Sequence, residues 1–398
     1  MTKEQAFFLS IIKDHIRKEK TEIPGDVDWS IISRYAKEQD LQGIVYYQCK
    51  SYLKSFFQLK EVCKTLDKAF MLSLYMYASY NHSYSEVKAA FQESNIRFFT
   101  VKGLEVALTY PFPALRTMGD LDIVMSTEDR EKSISTMKQM GYSLQKGAYE
   151  WHYRKQNVNI EAHNCLNYYE YQDYRTPFFK SCWEYCENSK DGTTILNHSY
   201  HFVFLIEHLR RHFNTHGVGF RQFIDIVTYI ETYRDLDWNW IEETLTKLGI
   251  LLFAKNVFYV CEQWWGFSPP KKMQGILHDQ DFLDESTDLI FRNGVFGFNN
   301  DEHWGNALSG SLSHMETIAI LRPVIRCFRE VCKPYEVMSR YPYCSFLIGK
   351  KYLLPLAWGR RFFYLTNNKR KETIKAVKSM TDKEKLSKHI DIRKQWGL

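Results

Sequence analysis

Residues 116–124 have the sequence RTMGDLDIV, in which two aspartates are separated by one apolar residue. Side chains two apart on a strand project from the same face, so Asp120 and Asp122 share a face while Leu121 and Ile123 can anchor the strand in a core. Mg²⁺ prefers hard oxygen ligands and usually shares them with a substrate phosphate. The pair therefore predicts a metal site beside a phosphate, with two Mg²⁺ ions expected and Mn²⁺ as the second candidate.

A lysine-glycine turn lies upstream of these acids. A β-rich run over residues 96–101 leads into Lys102-Gly103, and a short helix that two prolines end is expected immediately afterwards. Backbone N–H groups at a helix start, together with a lysine ammonium, suit a phosphate. We therefore expect Lys102, Gly103 and Arg116 to contact a nucleotide. For Arg116, the alternative is a salt bridge that only holds the loop.

A third carboxylate is expected on a strand downstream. Residues 149–154 and 158–163 read as paired strands around a polar turn, so that Glu161 and His163 share one face of the second strand. Two-metal phosphoryl chemistry uses such a set of carboxylates. The two aspartates would bridge the metals, and Glu161 would complete the second site or take a proton. The simpler alternative is a pair of solvated acids at a strand end and an ordinary edge-strand glutamate.

Three motifs resemble those of the uncharacterised bacterial nucleotidyltransferases of the polymerase-beta-like superfamily. They are Lys102-Gly103, Tyr110-Pro111-Phe112-Pro113 with Arg116, and Gly119-Asp120-Leu121-Asp122. The resemblance is close over residues 85–165 and looser over residues 195–230. The superfamily usually has Gly-Gly or Gly-Ser at the turn, and this chain departs from that pattern because a lysine precedes a single glycine.

The resemblance implies an α+β fold in which a small mixed sheet of nucleotidyltransferase type is flanked by N-terminal and C-terminal helical regions. It also implies a reaction that moves a nucleoside monophosphate from an NTP to a hydroxyl acceptor and releases pyrophosphate. Neither the acceptor nor the particular NTP follows from the sequence.

A helix rich in histidine and arginine is expected over residues 200–213. His208 and His212 lie at i and i+4, but a His-Glu-x-x-His zinc site needs its glutamate between the histidines, and here the glutamate precedes them. The resembled family has a similar helix in this region. We therefore expect His208 and Arg211 to reach the nucleotide or the acceptor across a cleft.

A glycine-containing segment follows, with the family-like pattern Gly-x-Gly-hydrophobic-Arg-x-x-x-Asp over residues 217–225. Its arginine, Arg221, is a further candidate for nucleotide contact. The alternative is an Arg221–Asp225 ion pair at i and i+4 that only holds the helix.

Hydrophobic periodicity divides the chain of 398 residues into four regions. An N-terminal helical region is expected over 1–95, the catalytic domain over 96–195, a C-terminal helical domain over 196–335 and a basic tail over 336–398. Within the tail, residues 364–395 are expected to form a lysine-rich peripheral helix.

Charge is distributed unevenly along the chain. Residues 321–398 hold 19 Lys/Arg against 6 Asp/Glu, whereas residues 1–320 hold 34 against 41, which gives net charges of +13 and −7. The basic tail is suited to a polyanion such as nucleic acid or anionic lipid, or it forms a solvated helical face. Residues 350–361 place an apolar, aromatic patch between paired cations. This patch either packs against the helical domain through Leu353, Leu354 and Trp358, or rests on an anionic membrane surface or covers RNA.

The remaining patterns bear on compartment and on competing functions. No stretch approaches the roughly 20 apolar residues that cross a bilayer, no secretory segment opens the chain, and nine cysteines form no paired framework, so a cytoplasmic protein is expected. A glycosyltransferase that uses Asp-x-Asp to bind a sugar nucleotide is one alternative, but it leaves Glu161 and the lysine-glycine turn without a role. A non-catalytic nucleotide-binding or scaffold protein of the same fold is another.

Overall fold

A small mixed sheet lies among helices that precede and follow it in the chain. The structure is a computed structural model that describes residues 1–146, 151–166, 174–189, 193–215, 217–295, 331–339, 341–368 and 391–398. The helices are α1 (Lys3–Arg17), α2 (Trp29–Glu38), α3 (Gln42–Ser55), α4 (Lys60–Glu93), α5 (Gly103–Ala107), α6 (Arg130–Gln139), α7 (Thr176–Lys180), α8 (His198–Thr215), α9 (Phe220–Thr232), α10 (Trp238–Lys247), α11 (Leu251–Trp265), α12 (Gln280–Asn293), α13 (Tyr335–Met338) and α14 (Leu354–Asn368). The strands are β1 (Phe98–Val101), β2 (Leu121–Met125), β3 (Ser143–Lys146), β4 (Trp151–Lys155), β5 (Val158–His163), β6 (Cys186–Asn188) and β7 (Thr194–Leu196).

The five-stranded sheet has the order β1-β2-β5-β4-β3. Strand β2 runs antiparallel to β1 and parallel to β5, and β4 runs antiparallel to both of its neighbours. A separate two-stranded sheet joins β6 and β7. This mixed sheet between helical regions confirms the expected α+β class. In the described ranges, none of the helices is long and apolar enough to span a bilayer.

Alternating side chains of β2 attach the sheet to two different cores. Leu121 and Ile123 pack with residues of α4 and α6 on one face, and Val124 joins the larger core that contains α8 and α9. Side chains two apart on a strand share a face, so Asp122 lies on the same side as Val124. The apolar pattern that predicts the strand therefore also directs the acid toward the helices that follow the sheet.

Helices α8 and α9 confirm the two helices expected after the sheet. Asn197 starts α8, because its Oδ1 atom accepts the backbone N–H groups of Ser199 at 2.9 Å and Tyr200 at 3.2 Å. The chain enters α9 at Gly219, where a Cβ atom would lie 2.6 Å from the Gln39 amide oxygen. Only glycine allows the close approach at this position.

The last residues of the chain differ from the expected peripheral helix. Ile392 and Trp396 are buried in the main core, and the Trp396 indole N–H donates to Ser286 Oγ over 3.1 Å. Two large apolar side chains at i and i+4 anchor the segment despite its basic composition. The lysine-rich residues 369–390 lie outside the described residues.

Candidate metal and nucleotide site

Two acidic side chains occupy facing positions on neighbouring parallel strands. Asp122 of β2 lies opposite Glu161 of β5 in the strand register. His163 follows on the same face of β5, and its Nε2 atom lies 3.2 Å from Asp122 Oδ1 and 3.8 Å from Glu161 Oε2. Ligand atoms of these three residues all lie within 4.8 Å of one another. The sheet thus brings together two of the three predicted carboxylates, together with a histidine.

Asp120 lies immediately before β2 and is not one of the three residues in this cluster. The chain is held there through the Gly119 carbonyl, which accepts hydrogen bonds from Tyr80 Oη at 2.7 Å and Asn159 Nδ2 at 3.3 Å. Burial raises the pKa of the Asp120 carboxyl, and the nearby charge of Asp122 raises it further. The two aspartates therefore have different surroundings, and the role of Asp120 as a metal ligand stays a prediction.

Lys102 connects β1 to α5, and its ammonium reaches the acid cluster. The Nζ atom lies 2.7 Å from Asp122 Oδ1. Burial raises the pKa of the Asp122 carboxyl, but the Lys102 charge and the His163 hydrogen bond together hold that pKa below its usual value. The Lys102 backbone has φ 52° and ψ −126°, a conformation that glycine adopts more readily than lysine does. The backbone is therefore strained at Lys102, the residue whose ammonium faces the acids.

His201 of α8 holds the backbone of this turn. The Lys102 N–H donates to His201 Nε2 over 3.2 Å, which leaves Nδ1 to donate to Tyr229 Oη, also over 3.2 Å. Burial lowers the pKa of His201 to about 3, so the ring is neutral near pH 7, as its role of acceptor requires. A buried, neutral imidazole thus links α8 and α9 to the turn.

Arg116 is buried beneath the same turn. Its Nε and Nη2 atoms donate to the two carboxylate oxygens of Asp225, each over 2.8 Å, and Nη1 donates to the Gly103 carbonyl over 3.1 Å. Tyr110 Oη donates to the same carboxylate over 2.7 Å. A bidentate pair of this kind fixes the geometry of the guanidinium. The contacts favour the loop-holding alternative for Arg116 and hold Gly103 through its carbonyl.

Arg221 of α9 anchors the loop that leads to the acids. Its Nη1 atom lies 3.1 Å from both the carbonyl and the Oγ1 of Thr117, and 3.3 Å from Asp40 Oδ2. Asp225 pairs with Arg116, so these contacts replace the ion pair within α9 that was the alternative for Arg221. Although burial raises the pKa of Asp120, the charge of Arg221 acts to lower it. Arg221 therefore contributes positive charge on the side of the acids.

His208 and Arg211 lie farther along α8. Burial lowers the pKa of His208 well below its usual value, and the charges of His212, Lys102 and Arg211 lower it further. The rings of His208 and His212 are in contact, with centroids 4.4 Å apart. His201 and His208 are seven residues apart and so share one face of the helix. Contact between this face and a nucleotide stays a prediction.

A family model described as "Uncharacterised nucleotidyltransferase" matches residues 25–266. The chain belongs to this family. The match covers more than half of the chain and includes the turn, the acids, α8 and α9. The family's name indicates nucleotidyltransferase activity, which favours this function over the glycosyltransferase alternative. No curated protein and no solved structure matches the chain significantly.

Sequence patterns missed several partners in this nucleotidyltransferase. The alternation of side chains along β5 was sufficient to identify His163, because this residue shares the face of the strand that carries Glu161. His201 lies 99 positions from Lys102, and Asp225 lies 109 positions from Arg116. Only the packing of α8 and α9 against the sheet brings these residues to the turn, so no local pattern could reveal the pairs.

Proposed function

We propose that this nucleotidyltransferase uses divalent metal to move a nucleoside monophosphate from an NTP to a hydroxyl acceptor, with release of pyrophosphate. The observation that supports this most directly is the register of Asp122 with Glu161, which sets two carboxylates side by side next to the Lys102 ammonium. Membership of the family supports the same class of reaction. Because NTPs are abundant in the cytoplasm, we infer that the reaction takes place there.

The donor atoms of the cluster fit a hard or borderline divalent ion. Asp122 and Glu161 supply carboxylate oxygens, which suit Mg²⁺, and His163 supplies an imidazole, which Mn²⁺ also accepts. We assign Asp120, Asp122 and Glu161 to two Mg²⁺ ions, with Mn²⁺ as the second candidate. When bound, the metal neutralises phosphate charge and lowers the pKa of the acceptor hydroxyl.

Lys102 and Glu161 have distinct roles in this proposal. The acceptor oxygen bonds to the α-phosphorus while the bond from this phosphorus to the pyrophosphate oxygen breaks. The Lys102 ammonium contacts the phosphates and stabilises the charge that develops on their oxygens. The Glu161 side chain is 25% exposed, against 5% for Asp122, so Glu161 is the carboxylate better placed to take the acceptor proton.

The helices that follow the sheet complete the proposed nucleotide site. His208 and Arg211 on α8 and Arg221 on α9 are assigned to the nucleotide side, because the charges of Lys102 and Arg211 both act on the His208 ring and the charge of Arg221 acts on Asp120. Gly103 and Arg116 keep the turn in place through the Arg116 contact to the Gly103 carbonyl. The helices thus provide both cations and mechanical support for the turn.

Titration calorimetry with α,β-methylene-ATP tests the site without knowledge of the acceptor, because this analogue cannot undergo transfer. The unmodified protein should bind the analogue in Mg²⁺ and lose binding in EDTA. Asp122→Asn should abolish the metal-dependent binding. Glu243→Gln is the matched control, because Glu243 is an exposed acid that pairs with Lys247 on α10. Metal-independent binding, or unchanged binding by Asp122→Asn, would contradict the proposal.

Product analysis separates the remaining alternatives. The protein is incubated with each NTP and with sugar nucleotides in Mg²⁺, and the released nucleotides are identified by mass spectrometry. Pyrophosphate release supports nucleotidyl transfer, and nucleoside diphosphate release from a sugar nucleotide indicates glycosyl transfer. Binding with no released product across a panel of hydroxyl acceptors indicates the non-catalytic alternative.

A further inference from the structure

The C-terminal helices α13 and α14 enclose a small hydrophobic cluster of their own. Met338, Cys344, Leu347 and Ala357 are its buried members. The side chains of Leu353, Leu354 and Trp358 pack against this cluster and not, as the sequence predicted, against the core of the helical domain. The inward face of α14 is therefore accounted for by local packing.

The outward face of α14 is also apolar. Leu356, Gly359 and Phe363 lie on one face of α14 at spacings of three and four residues, and Tyr352, which precedes the helix, lies four residues before Leu356. Tyr352 is 76% exposed, Leu356 63% and Phe363 65%. We call this row the α14 stripe. Large apolar side chains that are exposed together along one side of a helix are characteristic of an interaction surface rather than of a solvated helix.

Cations border the α14 stripe, and acids are missing from its sequence neighbourhood. Residues 341–368 contain four Lys/Arg and no Asp/Glu. Lys350, Lys351 and Arg360 are exposed, whereas Arg361 is buried and donates to Tyr343 Oη over 2.9 Å. Three of the four cations are thus on the surface beside the apolar row, and the fourth holds the small cluster together.

We propose that the α14 stripe docks on an anionic lipid bilayer. An apolar row gains free energy when it enters the boundary between headgroups and acyl chains, and neighbouring cations are attracted to anionic headgroups. Single-stranded nucleic acid would engage the cations and the aromatic rings, but it offers no apolar environment for Leu356 or for Ile348, which is 69% exposed. The combination of aliphatic exposure and positive charge therefore fits a lipid surface best. The proposal does not depend on the transferase reaction.

Vesicle flotation with the full chain tests this docking. The protein should float with vesicles of phosphatidylcholine mixed with phosphatidylglycerol, and weakly or not at all with phosphatidylcholine alone. Replacing both Leu356→Ser and Phe363→Ser should weaken binding by about tenfold or more. Leu277→Ser is the matched control, because Leu277 is 93% exposed but lies outside the stripe. Circular dichroism confirms that each variant is folded.

Charge supplies an independent arm of the test. Lys350→Glu with Lys351→Glu should weaken binding to anionic vesicles. Added salt should also weaken the binding of the unmodified protein to these vesicles. No flotation with anionic vesicles would overturn the proposal, as would an equal loss in Leu277→Ser. Binding to single-stranded RNA that depends on the stripe, in the absence of vesicle binding, would assign the surface to nucleic acid instead.

Discussion

The ammonium of Lys102 lies 2.7 Å from the carboxylate of Asp122, although the backbone that carries it has a positive φ of 52°. Such a conformation destabilises a non-glycine residue by roughly 1–2 kcal/mol relative to its ordinary backbone regions. Strand β1, helix α5 and the hydrogen bond to His201 keep the backbone in place. Lys102 therefore has two separable properties, a cation at the site and a strained backbone, which different substitutions remove in different combinations.

Lys102→Gly and Lys102→Ala test this separation. Both remove the cation, so both should weaken metal-dependent NTP binding by about 1.5–3 kcal/mol, the value of one charge-assisted hydrogen bond. Only glycine relieves the strain, so Lys102→Gly should be about 1 kcal/mol more stable than Lys102→Ala in urea unfolding. AMP binding, which involves no outer phosphates, should change less than ATP binding. Equal stability of the two variants would show that the backbone is unstrained, and unchanged ATP affinity would remove the cation from the site.

Asp122 and Asp120 should differ as metal ligands, even though they are two residues apart. Asp122 belongs to the cluster with Glu161 and His163, whereas Asp120 lies before the strand. Asp122→Asn should therefore reduce Mn²⁺ affinity, measured by electron paramagnetic resonance, by more than the roughly 10–100-fold that loss of an outer partner causes. Asp120→Asn should cause a smaller loss in the absence of nucleotide. Identical losses would restore the expectation that the two aspartates bridge the metals equivalently.

Arg116 should stabilise the fold more than it contributes to nucleotide affinity. Removing one partner of a buried ion pair leaves the other charge uncompensated, so Arg116→Ala should lower the free energy of unfolding by about 3–5 kcal/mol. Replacing Arg116→Met together with Asp225→Leu should recover part of that loss. Nucleotide affinity of the folded variants, measured by calorimetry, should fall less than it does in Lys102→Ala. A stable Arg116→Ala protein with no ATP affinity would instead make Arg116 a phosphate ligand.

Local patterns predicted the parts of this site that lie on single strands and helices. Alternation along β5 was sufficient to select Glu161, and the spacing around Asp122 was sufficient to select β2. The partners of Arg116 and Arg221 were not predictable in this way, because sequence spacing offered Arg221 only an ion pair within its own helix and offered no particular acid for the loop-holding salt bridge of Arg116. The structure instead pairs each arginine with an acid from a different part of the chain.

Composition misled at the C-terminus for a related reason. Lysines dominate the sequence there, and a lysine-rich helix is usually a solvated one. Two apolar residues among many cations give little indication of burial. The core side chains that they pack against lie far away in the sequence, within residues 213–286. Burial of Trp396 therefore depends on tertiary contacts that the local pattern does not contain.

Stability should depend on pH through His201. Its pKa is lowered to about 3 in the folded protein, against 6.5 for a free side chain, so the unfolded state binds more protons between these values. Stability should therefore fall as pH decreases through this window, by about 2 kcal/mol from pH 7 to pH 5 for this one residue. His201→Gln keeps an acceptor for the Lys102 N–H but does not titrate. Urea unfolding at both pH values should show the smaller loss for this variant, and parallel losses would contradict the assignment.

The C-terminal anchor should be required for full stability. Trp396 is fully buried, with its ring centroid 4.8 Å from that of Phe213 and 5.6 Å from that of Phe282. Trp396→Ala should lower the free energy of unfolding by about 3–5 kcal/mol, because it removes a large core side chain and leaves a cavity. Lys394→Ala, an exposed position in the same segment, should change it by less than about 0.5 kcal/mol in the same urea titration. A chain that ends at residue 390 should lose at least as much stability as Trp396→Ala. If the stability of that chain is unchanged, residues 391–398 form a peripheral tail, as the sequence predicts.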